Sequence, residues 1–389
     1  MKLTATTQFG LEQLLADELR ELGAEITRVG SRAVEFTGDQ TLLYRTMLWS
    51  RLAMRVLRPF AEFHAPDEKG LYEAVGQIDW RDYIGEGQRF AITAVVNKST
   101  FEHSLFVAQL AKDAIVDQFR SRSGTRPDVD VRHPDVRFHL RMLENEVTLS
   151  ILAAGDSLHR RGYRQGTNDA PLNEVLAAGL IRLSGWDGKQ PLIDPLCGSA
   201  TILTEAGLIA QNIAPGLFHE GVFGFENWAD FDEDLWERLR EEARNKRIEA
   251  PQAYLAGSDL DPRVLEQAVQ NRNAAGLERC IRLSVRDVKD AKPPQHQPPG
   301  IVITNPPYGE RIGDETEMEA LYKTIGDTLK TSFQGYEAYL FTGNSVAAKR
   351  VGLKATRRIP LFNGPIDCRL LKYELYHGSR REVSNAASE

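Results

Sequence analysis

Leucines at positions 11, 14, 15, 19 and 22 recur at the spacing of one helix face, and Gly23 supplies a stop. A strand pattern follows at 33–36, so residues 1–43 read as a small α/β unit. Residues 44–155 alternate helix and strand signals and predict a separate α+β module. Within it, 90–98 (FAITAVVNK) is strand-like and 103–124 is an amphipathic helix ended by Gly124. DVRFHLRML and EVTLSILAAG alternate like a hairpin around Glu144 and Asn145. A polar, arginine-containing stretch, 156–170, reads as a linker. From Pro171 a helix leads into the apolar runs LIDPL, AYLAGSD, IRLSV, IVITN and YEAYLFTG, most of them followed by a helical pattern. That alternation predicts an open parallel sheet with helices on both faces, completed by an antiparallel strand in RLLKYELYHG. Residues 379–389 read as a disordered tail.

The chain has 389 residues, 42% hydrophobic and 26% charged, enough for two or three domains with a full α/β core. No run of about 18 apolar residues suggests a membrane span, and the first residues lack the apolar core of a secretory signal. Cys197, Cys280 and Cys368 lie far apart without a CxxC pair, and the histidines show no HExxH. We therefore expect no metal centre and a reducing, cytoplasmic setting. The net charge of −7 suits a nucleic-acid partner poorly, so the charge must be read locally. Two stretches carry cations and no acid: 157–166, with His159, Arg160, Arg161 and Arg164, and 349–358, with Lys349, Arg350, Lys354, Arg357 and Arg358. Each is either a phosphate-contacting surface or an ordinary solvated one.

Three strand-like runs end in an acid. Asp194 precedes a turn of small residues, Cys197, Gly198 and Ser199, which opens a helix at Thr201; Ala200 stands where a second glycine is expected. In open α/β sheets ligands bind beyond the carboxyl ends of the strands, and a small-residue turn lets a ligand approach the backbone. The turn is neither GxGxxG nor a P-loop. Asp259, followed by Leu260, is placed to accept both hydroxyls of a ribose, although the interval from the turn is far longer than the usual ~20 residues. Residues 212–251 are inserted there, and their charged helix ERLREEARNKR has the pattern of a solvated face. Asp287, followed by Val288, ends the third run and is either an acceptor for an adenine amine or a helix cap.

The most specific segment is Asn305-Pro306-Pro307-Tyr308 at the end of IVITN. An exocyclic base amine is a poor nucleophile because its lone pair is delocalised into the ring. Two acceptors, the Asn305 side-chain carbonyl and the Pro306 backbone carbonyl, can hold its two protons and turn the lone pair out of conjugation. The paired prolines stiffen that grip, and Tyr308 offers a ring for stacking on an extruded base. An activated methyl donor then needs neither a metal nor a covalent nucleophile.

Residues 194–201 (DPLCGSAT), 257–262 (GSDLDP) and 305–311 (NPPYGER) together resemble class I amino-methyltransferases carrying an NPPY motif. With 158–164 (LHRRGYR), 170–172 (APL) and 112–117 (KDAIVD), the chain resembles the large-subunit rRNA guanine-N2 methyltransferases that bear an N-terminal THUMP domain. The resemblance runs from Thr6 to about Gly378. It implies a Rossmann-like, seven-stranded mixed sheet over 171–378, preceded by a smaller α+β, ferredoxin-like THUMP region near 44–155 that docks RNA. It implies S-adenosylmethionine as cofactor, held by Asp194, Cys197, Gly198, Ser199, Thr201, Asp259, Leu260, Asp287, Val288 and Asn305. Asn305, Pro306, Pro307 and Tyr308 would hold the target guanine, and Arg160, Arg161, Arg164 and Arg311 would contact RNA. Some relatives carry a second methyltransferase domain after this one, so the sequence is either a one-activity protein or part of a longer enzyme. Adenine N6 and a glutamine amide present similar amines and remain alternative substrates. A non-catalytic RNA-binding assembly factor is the alternative of another class; a nicotinamide dehydrogenase would lack its glycine fingerprint here.

Overall fold

A computed structural model of the chain describes residues 1–124, 126–164, 172–308 and 315–376. In chain order its elements are β1 (Lys2–Thr6), α1 (Glu12–Glu21), β2 (Glu25–Gly30), β3 (Ala33–Thr37), α2 (Gln40–Trp49), β4 (Arg55–His64), α3 (Glu68–Gln77), β5 (Phe90–Asn97), α4 (Ser104–Ser123), β6 (Val136–Leu143), β7 (Glu146–Leu152), α5 (Glu174–Ser184), β8 (Leu192–Asp194), α6 (Thr201–Ala210), α7 (Glu233–Asn245), β9 (Leu255–Asp259), α8 (Pro262–Ala274), β10 (Ile281–Val285), β11 (Ile301–Thr304), α9 (Glu315–Ser332), β12 (Glu337–Thr342), β13 (Arg357–Asn363) and β14 (Ile366–Glu374). The chain divides into two compact units. The first holds Met1–Thr7, Leu15–Leu158 and His219–Glu241; the second holds Gln8–Leu14, His159–Phe218 and the chain from Glu242 onward.

The first unit carries a seven-stranded sheet in the order β2-β3-β1-β4-β7-β6-β5, antiparallel except where β5 runs parallel to β6. The predicted hairpin is present. Glu144 and Asn145 turn it with φ of 53° and 68°, the left-handed pair that matches the strands' own twist. The expected helix 103–124 is α4, which ends at Gly124 with φ 67°. Strand β4 escaped the sequence reading. Its Pro59 sits where the register shifts against β7, so the missing N–H leaves no gap in a regular ladder. Helix α2 runs through the division expected between residues 43 and 44, so that boundary cuts an element.

The insertion also differs from expectation. The exposed flank of α7 is charged, but Trp236, Leu239 and Ala243 are buried, as are Phe223, Phe225 and Trp228 before it. Phe225 stacks on Tyr44 at 4.6 Å, and Trp236 meets the same ring edge-on at 5.6 Å. The Tyr44 hydroxyl accepts from the Asp232 backbone N–H (3.0 Å) and from Gln40 Nε2 (2.8 Å). Asn227 Nδ2 donates to the Asp135 carbonyl (2.9 Å), and Gln88 Nε2 to the Asn227 carbonyl (3.0 Å). Residues 219–241 are therefore core of the first unit, although the sequence places them inside the second.

In the second unit the sheet order is β10-β9-β8-β11-β12-β14-β13. The first five strands are parallel; β14 is antiparallel to β12, and β13 to β14. This is the expected Rossmann-like mixed sheet of seven strands. The antiparallel strand expected in RLLKYELYHG is β14, and the sequence reading missed its hairpin partner β13. Strand order reverses between β8 and β11, and in open α/β sheets ligands bind beyond the carboxyl ends of the strands at such a reversal. Apolar side chains from β11, β12, β14 and α9, including Val302, Leu340, Tyr373, Tyr322 and Leu329, form one buried cluster.

The aromatic cluster yields a direct test. Phe225 is 0% exposed, and Phe→Ala in such a site costs about 3–5 kcal/mol. Urea denaturation of Phe225→Ala should show a loss of that size in the first unit. A loss below ~1 kcal/mol would mean the insertion merely rests on the unit.

Candidate active site

Because β8, β9, β10 and β11 run parallel, Asp194, Asp259, Asp287 and Asn305 all lie at or just beyond carboxyl ends of one sheet. After β8 the chain turns through Gly198 (φ 53°) and Ala200 (φ 61°), and α6 begins at Thr201. Gly198 has the left-handed backbone glycine tolerates, and no atom lies within 4 Å of where a Cβ would stand. Ala200 adopts the same conformation with a Cβ, at a cost of order 1 kcal/mol. The departure from glycine is thus accommodated with some strain, and the turn remains open at Gly198.

Asp259 organises the turn. Its Oδ2 accepts from the Gly198 N–H and its Oδ1 from the Asp261 N–H, each at 3.0 Å. One carboxylate thereby fixes both the small-residue turn and the start of α8, which Asp261 caps. Strand β9 lies close against the turn. A Cβ on Gly257 would come within 2.3 Å of Leu203 and 3.0 Å of Cys197, and the Cys197 N–H donates to the Ser258 carbonyl at 2.9 Å. From α8, Asn271 Nδ2 holds the Ser199 carbonyl at 3.0 Å.

Asp194 is 2% exposed. Its Oδ1 accepts from the Thr304 hydroxyl (2.7 Å) and the Leu196 N–H (3.2 Å). Burial raises its carboxyl to about 7, although both hydrogen bonds pull the other way; the nearby Asp259 carboxylate adds to the rise. The Thr304 contact ties the end of β8 to the residue before Asn305. Asp287 caps the short turn 288–290. Its carboxylate accepts from the Lys289 N–H (3.0 Å) and pairs with Lys289 Nζ (3.1 Å), so it caps this turn while each oxygen keeps a lone pair for a further donor.

The Asn305–Tyr308 turn is braced from behind. The Asn344 N–H donates to Thr342 Oγ1 (3.0 Å), Thr342 Oγ1 lies 2.6 Å from the Tyr322 hydroxyl, and that hydroxyl donates to the Pro307 carbonyl (3.3 Å). With Tyr322 donating to Pro307, the Thr342 hydroxyl donates to Tyr322, and all three bonds run in one direction. Tyr322 is 0% exposed, and burial pushes its phenol up to about 12, so it stays a donor. Tyr308 is half-buried. Asn363 Nδ2 donates to its hydroxyl at 2.9 Å, and Phe341 meets its ring edge-on. In contrast to these satisfied groups, Asn305 Oδ1 is buried and has no hydrogen-bond donor among the described residues. A buried amide oxygen without a partner costs about 1–3 kcal/mol, the kind of debt a ligand donor settles.

Several expected contacts change role. Arg161 is 3% exposed, and its Nε lies 2.8 Å from Glu205 Oε1, a carboxylate that also accepts from the Tyr163 hydroxyl (2.9 Å). Arg164 Nε pairs with Glu174 Oε1 at 2.8 Å, and its Nη2 donates to the Leu172 carbonyl and to Thr201 Oγ1. Neither arginine is a surface phosphate contact; both brace the start of the second unit. Arg160 is exposed, and Arg311 lies outside the described residues. Thr201 is buried with its hydroxyl taken by Arg164, and the Cys197 and Val288 side chains point into the core, so only their backbones face a ligand role. Leu260, at 64% exposed, stands free beside Asp259. In 349–358, Arg350 pairs with Glu319 at 2.8 Å, while Arg357 and Arg358 begin β13. Sequence reasoning missed Thr304, Tyr322, Thr342 and Asn363, which carry no motif of their own.

The expected S-adenosylmethionine fits this cradle: space opens at Gly198, and Asp259 is fixed with acceptor capacity to spare. Among the described residues no group of His, Cys, Asp and Glu is arranged for a metal, and no helix is long and apolar enough to cross a membrane.

Comparison with known proteins agrees with this geometry. Residues 161–372 match the family described as RMKL-like, methyltransferase domain; residues 2–57 match the RlmL ferredoxin-like domain, and residues 65–152 the THUMP domain. A Synechocystis sp. protein classed provisionally as an RNA methyltransferase is 44% identical over 96% of both chains. A ribosomal RNA large subunit methyltransferase K/L of Syntrophotalea carbinolica is 41% identical over 96% of this chain but 54% of its own, so the chain spans about half the length of the K/L relatives it matches. A crystal structure of SMU.472, provisionally classed as a methyltransferase and complexed with SAH, superposes with a TM-score of 0.87 at 31% identity, covering 97% of this chain and 99% of that one.

Two measurements check the site. Tyr322→Phe removes the donor to Pro307 without changing packing volume; turnover should fall about 10-fold or more while cofactor affinity holds. Equal loss of both would make the relay a general scaffold. Asp194 binds a proton more tightly folded than unfolded, so the protein should lose stability as pH rises from about 4 to about 7 and level off above. Asp194→Asn should flatten that slope in chemical denaturation; an unchanged slope would place the titrating group elsewhere.

Proposed function

The chain belongs to the RMKL-like methyltransferase family, and from that premise we propose that it transfers a methyl group from S-adenosylmethionine to the exocyclic N2 of guanine in large-subunit ribosomal RNA. The observation that carries the reading is the buried Oδ1 of Asn305, just past the end of β11 and without a hydrogen-bond partner among the described residues, followed by two prolines and Tyr308. The domain composition and the names of the K/L relatives support RNA as the substrate class.

When bound, S-adenosylmethionine supplies a methyl group already activated on a sulfonium centre. The chain's own residues do the rest. Gly198 and Ser199 leave room at the turn, Asp259 accepts from ribose hydroxyls, and Asp287 offers an acceptor for the cofactor's adenine amine. Asn305 Oδ1 accepts one proton of the guanine amine and the Pro306 carbonyl the other, so the nitrogen lone pair turns out of the ring plane toward the donor. The prolines keep the acceptors from following the amine, and the Tyr322 relay holds the turn's third carbonyl in place. Tyr308 packs beside the entering base. Bringing a guanine here requires extruding it from its stack. Arg160 and Arg311 remain the candidate RNA contacts in the second unit.

Tritiated-methyl transfer to protein-free ribosomal RNA, DNA and a release factor separates the substrate classes. Label in rRNA as N2-methylguanine supports the proposal; label in DNA alone defeats it. Asn305→Ala should lower turnover by about 10²–10³-fold, the scale of losing one preorganised contact in an active site. Calorimetric affinity for the cofactor should change little. If affinity falls as far as turnover, Asn305 holds the cofactor instead of the amine.

A further inference from the structure

The last strand of the second unit's sheet is packed by a segment from the other end of the sequence. Residues Gln8–Leu14 fall within the second unit, although they lie inside 2–57, which matches the ferredoxin-like domain and not the methyltransferase domain. Three successive residues fix them there. Leu11 is buried over Gly179 of α5, where a Cβ would come within 2.6 Å of its Cδ1. Gly10, with φ 87°, lies against β13; a Cβ on it would stand 2.9 Å from Leu361 Cδ2 and 3.0 Å from the Pro360 carbonyl. Phe9 meets Phe362 edge-on, the ring centroids 5.4 Å apart and the planes at 85°. Phe9 keeps 39% of its surface exposed, so core burial does not account for a phenylalanine here, whereas the edge-on contact does.

Phe362 is followed by Asn363, the last residue of β13. Asn363 pairs with Ile366, so only Gly364 (φ 59°) and Pro365 connect β13 to β14. A two-residue turn has little freedom, and the place of Asn363 follows that of its strand. Asn363 Nδ2 donates to the Tyr308 hydroxyl at 2.9 Å, and that hydroxyl also faces the Cys368 thiol. The ring of Tyr308 is backed by β12 and the residue after it. Phe341 meets it edge-on at 6.3 Å, and a Cβ on Gly343 would come within 3.0 Å of its Cδ2. Strand β12 lies inside the sheet with a neighbour on each side; β13 ends the order and pairs with β14 alone. The contact at the hydroxyl thus depends on the strand with less support from its own sheet, and Gln8–Leu14 pack on that strand.

We propose that Phe9 is a positioning residue for methyl transfer: through Phe362 and Asn363 it sets the angle of the Tyr308 ring against the entering guanine. The inference deepens the guanine reading and rests on it. An extruded base is held by acceptors at its amine and by a ring at its flank, and a tilt of that ring moves the amine off the line of transfer. The effect of Phe9 therefore falls on kcat, while phosphate contacts elsewhere set how firmly RNA is held.

The test uses the full chain as Phe9→Ala, Asn363→Ala, Tyr308→Phe and the double variant Phe9→Ala/Tyr308→Phe. Val29→Ala, at an exposed residue of β2, is the control. With protein-free large-subunit rRNA, Phe9→Ala should lower kcat about 10-fold and leave RNA KM and calorimetric cofactor affinity within about two-fold of wild type. Asn363→Ala and Tyr308→Phe should each lower kcat by a similar factor. In the Tyr308→Phe background Phe9→Ala should cost nothing further, because the hydroxyl it acts through is gone; a general loss of packing would multiply the two effects instead. In chains isotopically labelled at tyrosine Cζ, the Tyr308 resonance should shift in Phe9→Ala and hold in Val29→Ala. Wild-type kcat in Phe9→Ala, multiplied effects in the double variant, or equal losses of kcat and cofactor affinity would each overturn the proposal. A Tyr308 resonance that moves in Phe9→Ala, in a protein that transfers no methyl to rRNA, would keep this contact chain and defeat the guanine reading. An unmoved resonance, with N2-methylguanine formed by the wild type, would do the reverse.

Discussion

Parallel strands deliver their carboxyl ends to one edge, and the second unit's chemistry depends on that constraint. Strands β8, β9, β10 and β11 bring residues from positions 194 to 305 together because all four point the same way. Two contacts convert proximity into rigidity. Asp259 pins the small-residue turn and the start of α8 with one carboxylate, and Thr304 links β8 to β11 through Asp194. The ligand-facing groups therefore rest on strand ends and short fixed turns, which suits a reaction whose rate comes from alignment.

That constraint explains how much was legible. An apolar run ended by an acid, repeated three times, is local in sequence, so the cradle and the Asn305 turn could be read directly. The open parallel sheet followed from helix–strand alternation, the Rossmann-like seven-stranded class from the family resemblance, and the strand order only from the structure. The bracing around the site was hidden because its partners are remote: Glu205 lies on α6 and Thr342 at the end of β12, and neither stands in a motif. The same distance explains the arginines. A run of cations without nearby acids looks like a phosphate surface, yet Arg161 and Arg164 meet Glu205 and Glu174 only after folding.

The insertion was misread for a related reason. Its aromatic residues are interspersed with acids, so their average polarity is high and no 3.6-residue stripe stands out before α7. Packing reveals the logic: Phe225 and Trp236 enclose Tyr44, whose hydroxyl keeps its hydrogen bonds inside the cluster. A tyrosine rather than a phenylalanine there lets one ring serve both the apolar contact and the backbone of residue 232.

The chain passes between its two units five times, after Thr7, Leu14, Leu158, Phe218 and Glu241. During synthesis the first unit would lack part of its core until residue 241 has left the ribosome, by which time β8 and α6 of the second already exist. The two bodies must then mature in overlapping intervals instead of one after the other. No single cut would free either of them whole, and an isolated fragment ending near Leu158 would expose Tyr44 and its surroundings to water.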